Sequence, residues 1–442
     1  MSEQAVHEQA VHDRVLRTAA APEDAPVLLL VGSGYRPYRE YILAALAQRY
    51  RLWLLDASEA TWQLAYCAGA TRVDTRDATA VHRAALHVVG SLPVAGVFTY
   101  DETQVVLCAR LAERLGLPGS PPETIEACRD KAATRAALTA AGVPQPASFP
   151  VSTAEQARAA AERIGYPVVV KARALAGSFG VVRADRPEDV TEAFSAADGA
   201  EFPNLPRHPA NVLVEEFLTG PEISIDAVIR DGEVTPTVLA RKRLGLEPYF
   251  EETGHDVDAN DPLLADEELL GQLRQIHRTL GFVHGATHSE FRLTPDGPRL
   301  VEVNARLGGD LIPYLGLLAT GVDPALAAAD VAAGRAPATA PRFRGAAGIR
   351  FLLPEEDCET VEVVVHEDRF GPTVHGTGVT AAPGDRLARP PAEFLTRYGH
   401  VIAAGEDREQ VLTDLEKPER LVELRARALP GRHRPTDFPE GD

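Results

Sequence analysis

The chain has 442 residues, 45% of them apolar and 25% charged, and a formal net charge of −19. That length allows two to four domains at about 100 to 200 residues each. The acidic balance argues against a nucleic-acid partner, which needs a concentrated positive face, and no apolar run reaches the roughly 18 residues of a membrane span. With no basic stretch followed by an apolar one near the start, a soluble, cytoplasmic protein acting on small metabolites is expected, with no membrane partner.

Cys67, Cys108, Cys128 and Cys358 are far apart and form no CxxC pair, so buried reduced thiols are expected. Lysine occurs only at Lys131, Lys171, Lys242 and Lys417, and arginine supplies every other cation. Each lysine is therefore informative, because a compact ammonium has neither the reach nor the shape of a guanidinium.

In chain order, residues 1–24 carry the short tandem repeat EQAVHEQAVH and are expected to form a mobile arm, with His7 and His12 as solvated tail histidines. Residues 25–56 predict strand, glycine turn, amphipathic helix and strand, the opening of a parallel α/β sheet, and residues 96–116 repeat the pattern. Gly32, Gly34 and Asp56 raise a dinucleotide-binding reading, but the third glycine of that fingerprint is missing. A helix over 130–142 follows, with Asp130 as N-cap and Gly142 with Pro144 as its stop. Lys131 falls in its first turn, where a cation opposes the helix dipole unless an anion lies nearby. Strand-like runs dominate residues 166–230, a helix is predicted at 264–281 and a tight hairpin at 286–309. The remainder predicts strands alternating with Pro/Gly turns, then the polar tail GRHRPTDFPEGD.

Two stretches carry chemistry. In VVVKARALAGSFGVVRA (168–184), Gly177 and Gly180 bracket Ser178 and Phe179 between two strands, giving a hairpin tip whose backbone N–H groups can turn inward around an anion. It is not a Walker loop, since GK[ST] is absent; taken alone it also fits a plain glycine hairpin with a surface lysine. In HSEFRLTPDGPRLVEVNARLGGD (288–310), a symmetric register about Asp296 sets Glu290 opposite Glu302 and His288 opposite Asn304, all on one face. Opposed carboxylates repel unless a cation lies between them, and two carboxylates with an amide carbonyl are hard oxygen donors that suit magnesium bridging phosphates. Solvated carboxylates on an open sheet are the plainer alternative. Arg306 is spaced to meet a phosphoryl group or a developing oxyanion.

Together these segments resemble the ATP-grasp superfamily from about residue 26 to 412. CRDKAATRAALTAAGVPQP is similar to its first lysine helix, YPVVVKARALAGSFGV to its second lysine and phosphate loop, VEEFLTGPEISID to its adenine hinge, and the hairpin to its magnesium site. Within the superfamily, NARLGGDLIPYL and ETGHDVDA resemble most the bacilysin-type L-amino acid ligases, which make dipeptides. The implied fold is α/β (α+β), with an N-terminal parallel-sheet domain (25–126), a small glycine-loop lid (127–213), a C-terminal mixed-sheet domain (214–425) and a tail (426–442). The resemblance implies that Lys131 and Lys171 hold the α- and β-phosphates of ATP and that Ala176, Gly177, Ser178, Phe179 and Gly180 fold over the β- and γ-phosphates. It further implies that Glu215, Glu216, Phe217 and Leu218 read the adenine and that Glu222 holds the ribose. Glu290, Glu302 and Asn304 would bind two magnesium ions, or manganese in their place. Arg306, Lys171 and His288 would serve the chemistry, and His255, Gly308, Gly309 and Asp310 would meet the amino-acid substrates. Ala172 stands where the family usually has proline.

The expected reaction is ATP-dependent joining of a carboxylate and an amine through an acyl phosphate, by an enzyme that the resemblance implies is a homodimer. The alternatives are a carboxylase or purine-pathway ligase using Arg36 and Arg39 for a phosphoribosyl substrate, and an ATP-binding regulator without turnover.

Overall fold

The computed structural model describes residues 21–175, 177–201, 205 and 207–429. Ala176 of the glycine loop, most of the expected arm and residues 430–442 of the expected tail lie outside the described residues. Residue 21 is already anchored, its N–H bonded to the Ala47 carbonyl at 2.8 Å, so the arm as expected to residue 24 is too long.

Strand β1 (Val27–Val31) is buried along its whole length, as a strand covered on both faces must be. It lies between β2 (Arg51–Asp56) and β4 (Val94–Phe98), with β3 (Cys67–Arg72) at the edge, in a four-stranded parallel sheet. Helices α1 (Arg36–Leu46), α2 (Ala78–Val89) and α3 (Val105–Leu115) complete this layer. Gly32 and Gly34 both adopt positive φ after β1, and the Ser33 N–H and hydroxyl donate to Asp56 at 3.0 and 2.8 Å. The acid of the dinucleotide reading is thus committed to holding the turn.

Helices α4 (Pro122–Arg129) and α5 (Lys131–Ala140) follow; Asp130 caps α5 as expected, accepting from the N–H groups of Ala132 and Ala133. Both helices enter the core formed by Ile223, Leu273 and Phe291 rather than that of the lid, so the expected lid span 127–213 begins too early. The lid is the sheet β5 (Ser148–Val151), β8 (Val212–Glu216), β6 (Val168–Ala172) and β7 (Val181–Ala184), in that order, and the expected boundary at 213 falls inside β8. Small residues of α6 (Ala154–Ile164) and α7 (Val190–Gly199), such as Ala157, Ala161, Ala193 and Ala197, close on Val168, Val170 and Val214. Helix α7 lies within the stretch where strand-like runs were expected to dominate; its buried Val190, Ala193 and Ala197 have helical spacing, but alanines give a faint stripe.

The largest sheet has eight strands in the order β13 (Gly297–Asn304), β12 (Gly285–Thr294), β9 (Glu222–Arg230), β10 (Glu233–Gly245), β11 (Glu251–Asp258), β14 (Ala346–Leu352), β18 (Gly399–Gly405) and β16 (Val374–Val379). Where the resemblance implies a mixed sheet, every pairing here is antiparallel. Helix α8 (Glu267–Leu280) fills the predicted helical stretch. After the hairpin come two helices, α9 (Ile312–Thr320) and α10 (Pro324–Ala332), in place of the expected strands and turns. Helix α10 packs between the two large sheets, joining Leu28 and Leu54 of one to Val228 of the other. Its buried Asp330 accepts from Tyr50 Oη at 2.6 Å and pairs with Arg49.

A three-stranded sheet of β17 (Arg386–Leu387), β15 (Cys358–Val365) and β19 (Val422–Ala428) and the helix α11 (Arg408–Asp414) complete the described chain. Strand β19 runs past the expected tail boundary at 425. Among the described residues no single helix is long and apolar enough to cross a membrane. The four cysteines are free, and burial pushes the Cys67 thiol up to about 12.

Candidate functional site

The metal hairpin reaches its register by a route the symmetric reading did not foresee. Next to the turn, Thr294 faces Gly297 and Phe291 faces Leu300, which centres the turn between Pro295 and Asp296. A β-bulge at Val301 then shifts the pairing by one residue, so that Glu290 faces Glu302 and His288 faces Asn304. Without the bulge, alternation would put Glu302 on the opposite face from Glu290. Arg135, one helical turn after Lys131, donates to the carbonyls of Leu300 and Val301 at 3.1 and 2.7 Å and so braces the bulge.

Lys131, Lys171, Gly177, Ser178, Phe179, Glu215, Glu216, Phe217, Leu218, Glu222, Glu290 and Glu302 line one cleft between the lid and the eight-stranded sheet. Gly180 and Asn304 lie beside it in the same loop and strand. Gly177, Ser178 and Gly180 all have positive φ, which gives the loop its sharp tip, and Ser178 Oγ donates to the Phe250 carbonyl at 3.2 Å. Asp130 accepts from Arg173 at 2.6 Å, tying the start of the first-lysine helix to the end of the second-lysine strand.

Within the cleft Glu215, Glu222, Glu252, Glu290 and Glu302 each have a cation. Lys131 Nζ lies 2.9 Å from Glu302, and Lys171 Nζ lies 2.6 Å from Glu215, which Arg135 also holds with a fork at 2.8 and 3.0 Å. Burial alone would raise the Glu215 and Glu302 carboxyls, but these cations reverse it and hold both well below the usual carboxylate range. Burial pushes the Lys171 ammonium down, with Arg135 and Lys131 adding to the effect against the pull of Glu215.

Sequence reasoning missed Lys242 as a member of the site. Its Nζ lies 2.7 Å from Glu222, 2.9 Å from Glu252 and 3.0 Å from Glu290, and its side chain is 2% exposed. Against the cost of burial, the three carboxylates hold its pKa well above the ordinary lysine value. The scarcity of lysine was the available signal for it.

The remaining predicted residues surround the cleft rather than line it. His288 is buried, with Nδ1 2.6 Å from Asp226 and Nε2 3.1 Å from Glu290. Burial disfavours its charge, yet those two carboxylates push its pKa up to about 9. In this arrangement His288 orients Glu290. Gly308 donates its N–H to Asp226 at 2.9 Å, and a Cβ there would meet both Asp226 and His288 at 2.9 Å, so only glycine fits. Arg306 forms a close ion pair with Glu102 from the N-terminal domain and donates to the Leu307 carbonyl. The structure does not bring it to the cleft wall.

A second group sits beyond Lys242. His255 Nε2 lies 3.2 Å from Glu252 and 3.4 Å from Asp310, and Arg397 holds Asp310 with a fork at 2.7 and 2.8 Å. Burial opposes protonation of His255, but Asp310 and Glu252 raise its pKa. Gly309, between Gly308 and Asp310, has room for a Cβ. The arrangement thus offers a lysine-lined, glycine-capped cleft for polyphosphate, a carboxylate hairpin for a hard cation, and an adjoining polar group.

A family model described as the ATP-grasp domain matches residues 164–314. Over 412 residues the chain is 30% identical to the uncharacterized protein y4rH of Sinorhizobium fredii, covering 90% of this chain and 83% of that protein. It is 29% identical over 301 residues to the alanine–anticapsin ligase of Bacillus subtilis, covering 64% of this chain and 61% of the ligase. Its fold is similar to the crystal structure of an L-amino acid ligase from Bacillus licheniformis, with a TM-score of 0.76, 21% identity, and coverage of 92% of this chain and 100% of that one. Phosphoribosylglycinamide synthetase from Anaerococcus prevotii gives 0.68 at 18% identity, covering 91% and 100%. The chain belongs to the ATP-grasp family. Within that family it is similar to the alanine–anticapsin ligase and the L-amino acid ligase.

Proposed function

We propose that this enzyme condenses two amino acids into a dipeptide at the expense of ATP, releasing ADP and phosphate. The reading is carried by one observation: Lys131 and Lys171, from separate elements, converge with Glu290 and Glu302 of the hairpin in one cleft. Alanine–anticapsin ligase and L-amino acid ligase, as relatives, support an amino-acid substrate for the same architecture.

In this mechanism ATP lies along the hinge with its adenine against Glu215–Leu218, its ribose at Glu222 and its phosphates at Lys131, Lys171 and the glycine loop. Glu290, Glu302 and Asn304 are hard oxygen donors that suit magnesium, which would offset the charge of the polyphosphate when bound. The Asn304 amide already donates to Glu302 at 2.8 Å, leaving its carbonyl oxygen for a cation. A carboxylate oxygen of the first amino acid attacks the γ-phosphorus in line; the bond to the bridging oxygen breaks, and ADP leaves. The neutral amine of the second amino acid then adds to the acyl carbon, and the tetrahedral oxyanion collapses with loss of a proton from nitrogen and departure of phosphate. Arg306 supplies positive charge beside this step once it turns from Glu102. The closed glycine loop excludes water from the acyl phosphate.

A phosphoribosyl substrate has less support. Arg36 is forked onto Glu40 at 2.9 Å, and Arg39 lies over the Tyr100 ring, 5.2 Å from its centroid. The test is a phosphate-release screen over pairs of amino acids, with mass spectrometry of the products. Release that requires both members of a pair and yields their amide supports the reading. Release only with bicarbonate or a ribosyl phosphate defeats it, and no release with any acid and amine would fit a nucleotide sensor instead.

A further inference from the structure

We propose that Arg397 is a positioning residue for the amino-acid end of the site, acting through Asp310, and that the segment Phe394–Arg397 carries the state of the glycine loop to it. The proposal rests on the ligase reading above and adds a coupling between its two halves.

Arg397 is 8% exposed and its guanidinium carbon lies 3.5 Å from the centroid of Phe351. Two of its nitrogens fork onto Asp310, and Nη2 also donates to the Glu252 carbonyl at 3.1 Å; among the described residues its buried Nε has no partner. A planar fork stacked on a ring fixes direction as well as charge, which a lysine does not. Asp310 needs that restraint: it and Leu311 have φ of 52° and 62°, a left-handed pair without glycine, which is strained for residues that carry a Cβ. Arg397 thereby sets the carboxylate that faces His255.

The other end of the segment meets the lid. Phe394 lies 5.7 Å from Phe179 at the glycine-loop tip and 6.1 Å, edge-on, from Tyr249. A Cβ on Gly177 would touch the Leu395 side chain at 3.4 Å. The Leu395 N–H donates to both oxygens of Glu251 at 3.3 Å, and Glu251 is wholly buried beside Glu252. When Phe179 moves to cover phosphates, Phe394 either follows or loses its contact, and Arg397 lies only three residues further on. The amino-acid end is then completed by nucleotide binding, which would delay activation of a carboxylate until the lid is shut.

Hydrogen exchange on the full-length enzyme, with and without magnesium and a non-hydrolysable ATP analogue, tests this coupling. Nucleotide should slow exchange in both 305–312 and 393–399 by about tenfold or more, since local opening limits exchange there. Phe394→Ala should abolish the slowing in 305–312 while calorimetric affinity for the analogue changes by less than about threefold. Arg397→Lys should raise the amino-acid KM by about 10- to 100-fold, with kcat and nucleotide affinity nearly unchanged. Analogue binding with no change in 305–312, in wild type, overturns the coupling and leaves the ligase reading intact. An equal fall in kcat and nucleotide affinity in Arg397→Lys shows a general structural role and overturns the positioning claim. Failure of wild type to bind the analogue defeats both.

Discussion

In the proposed nucleotide cleft, Lys131, Lys171 and Lys242 each sit within 3.0 Å of a glutamate; at the proposed amino-acid end, a single guanidinium, Arg397, is forked onto Asp310. Both regions are buried and both balance charge with a forked guanidinium, Arg135 on Glu215 in the cleft and Arg397 on Asp310 at the other end, but the cleft adds three ammonium groups. An ammonium is a mobile point charge that a polyphosphate can draw from its carboxylate, leaving that carboxylate to a metal. A stacked guanidinium is a fixed fork that defines a shape. On the proposed function, the ammonium groups of the cleft would exchange partners during a cycle and the neighbouring fork would keep one geometry.

This contrast can be broken in the cleft first. Glu302→Gln removes a hairpin carboxylate and leaves Lys131 without its acid; kcat should fall by about 10²- to 10³-fold, the scale set by losing a charge aimed at the transition state. Steady-state kinetics over a magnesium titration will check it, and activity within a few-fold of wild type would show that the hairpin does not serve the metal. At the other end, His255→Gln should raise the amino-acid KM by about tenfold while calorimetric nucleotide affinity stays level. A matching loss in both would merge the two regions into one.

A smaller effect, outside both regions, shows what burial does without a partner charge. His277 Nδ1 donates to the Leu273 carbonyl and Nε2 accepts from the Thr287 hydroxyl, both at 2.7 Å, so the ring is held neutral. Burial pushes its pKa down to about 4, against the raising effect of the Leu273 carbonyl. Because the folded value lies below the unfolded one near 6.5, its contribution is present above about pH 6.5 and is lost as pH falls through 4. Urea unfolding at pH 7 and 4.5 should show wild type losing about 2 kcal/mol more than His277→Gln over that interval. Equal losses would mean that His277 is charged in the folded state.

The cleft was largely legible from the sequence because its parts are short and local. Lys131 follows its own N-cap, Lys171 ends a strand before a glycine loop, and Glu290 and Glu302 lie on one hairpin. Even there the bulge at Val301 was invisible, since nothing in RLVEVN marks an extra residue. Lys242, Arg135 and Asp226 enter through strand pairing and helix packing between distant segments, which one sequence does not display; Lys242 at least stood out by rarity. Arg397 was one arginine among many, with no local motif to single it out. Helices α9 and α10 were missed because they are buried nearly all round, and a helix without a polar face shows no periodic stripe.

Oxygen transfer reports directly on the proposed chemistry. With an amino acid labelled with ¹⁸O in its carboxylate, the phosphate released during amide formation should carry one labelled oxygen, because the carboxylate attacks phosphorus and leaves with it. Unlabelled phosphate alongside amide product would mean that the carboxylate was never phosphorylated, and the mechanism would have to be replaced.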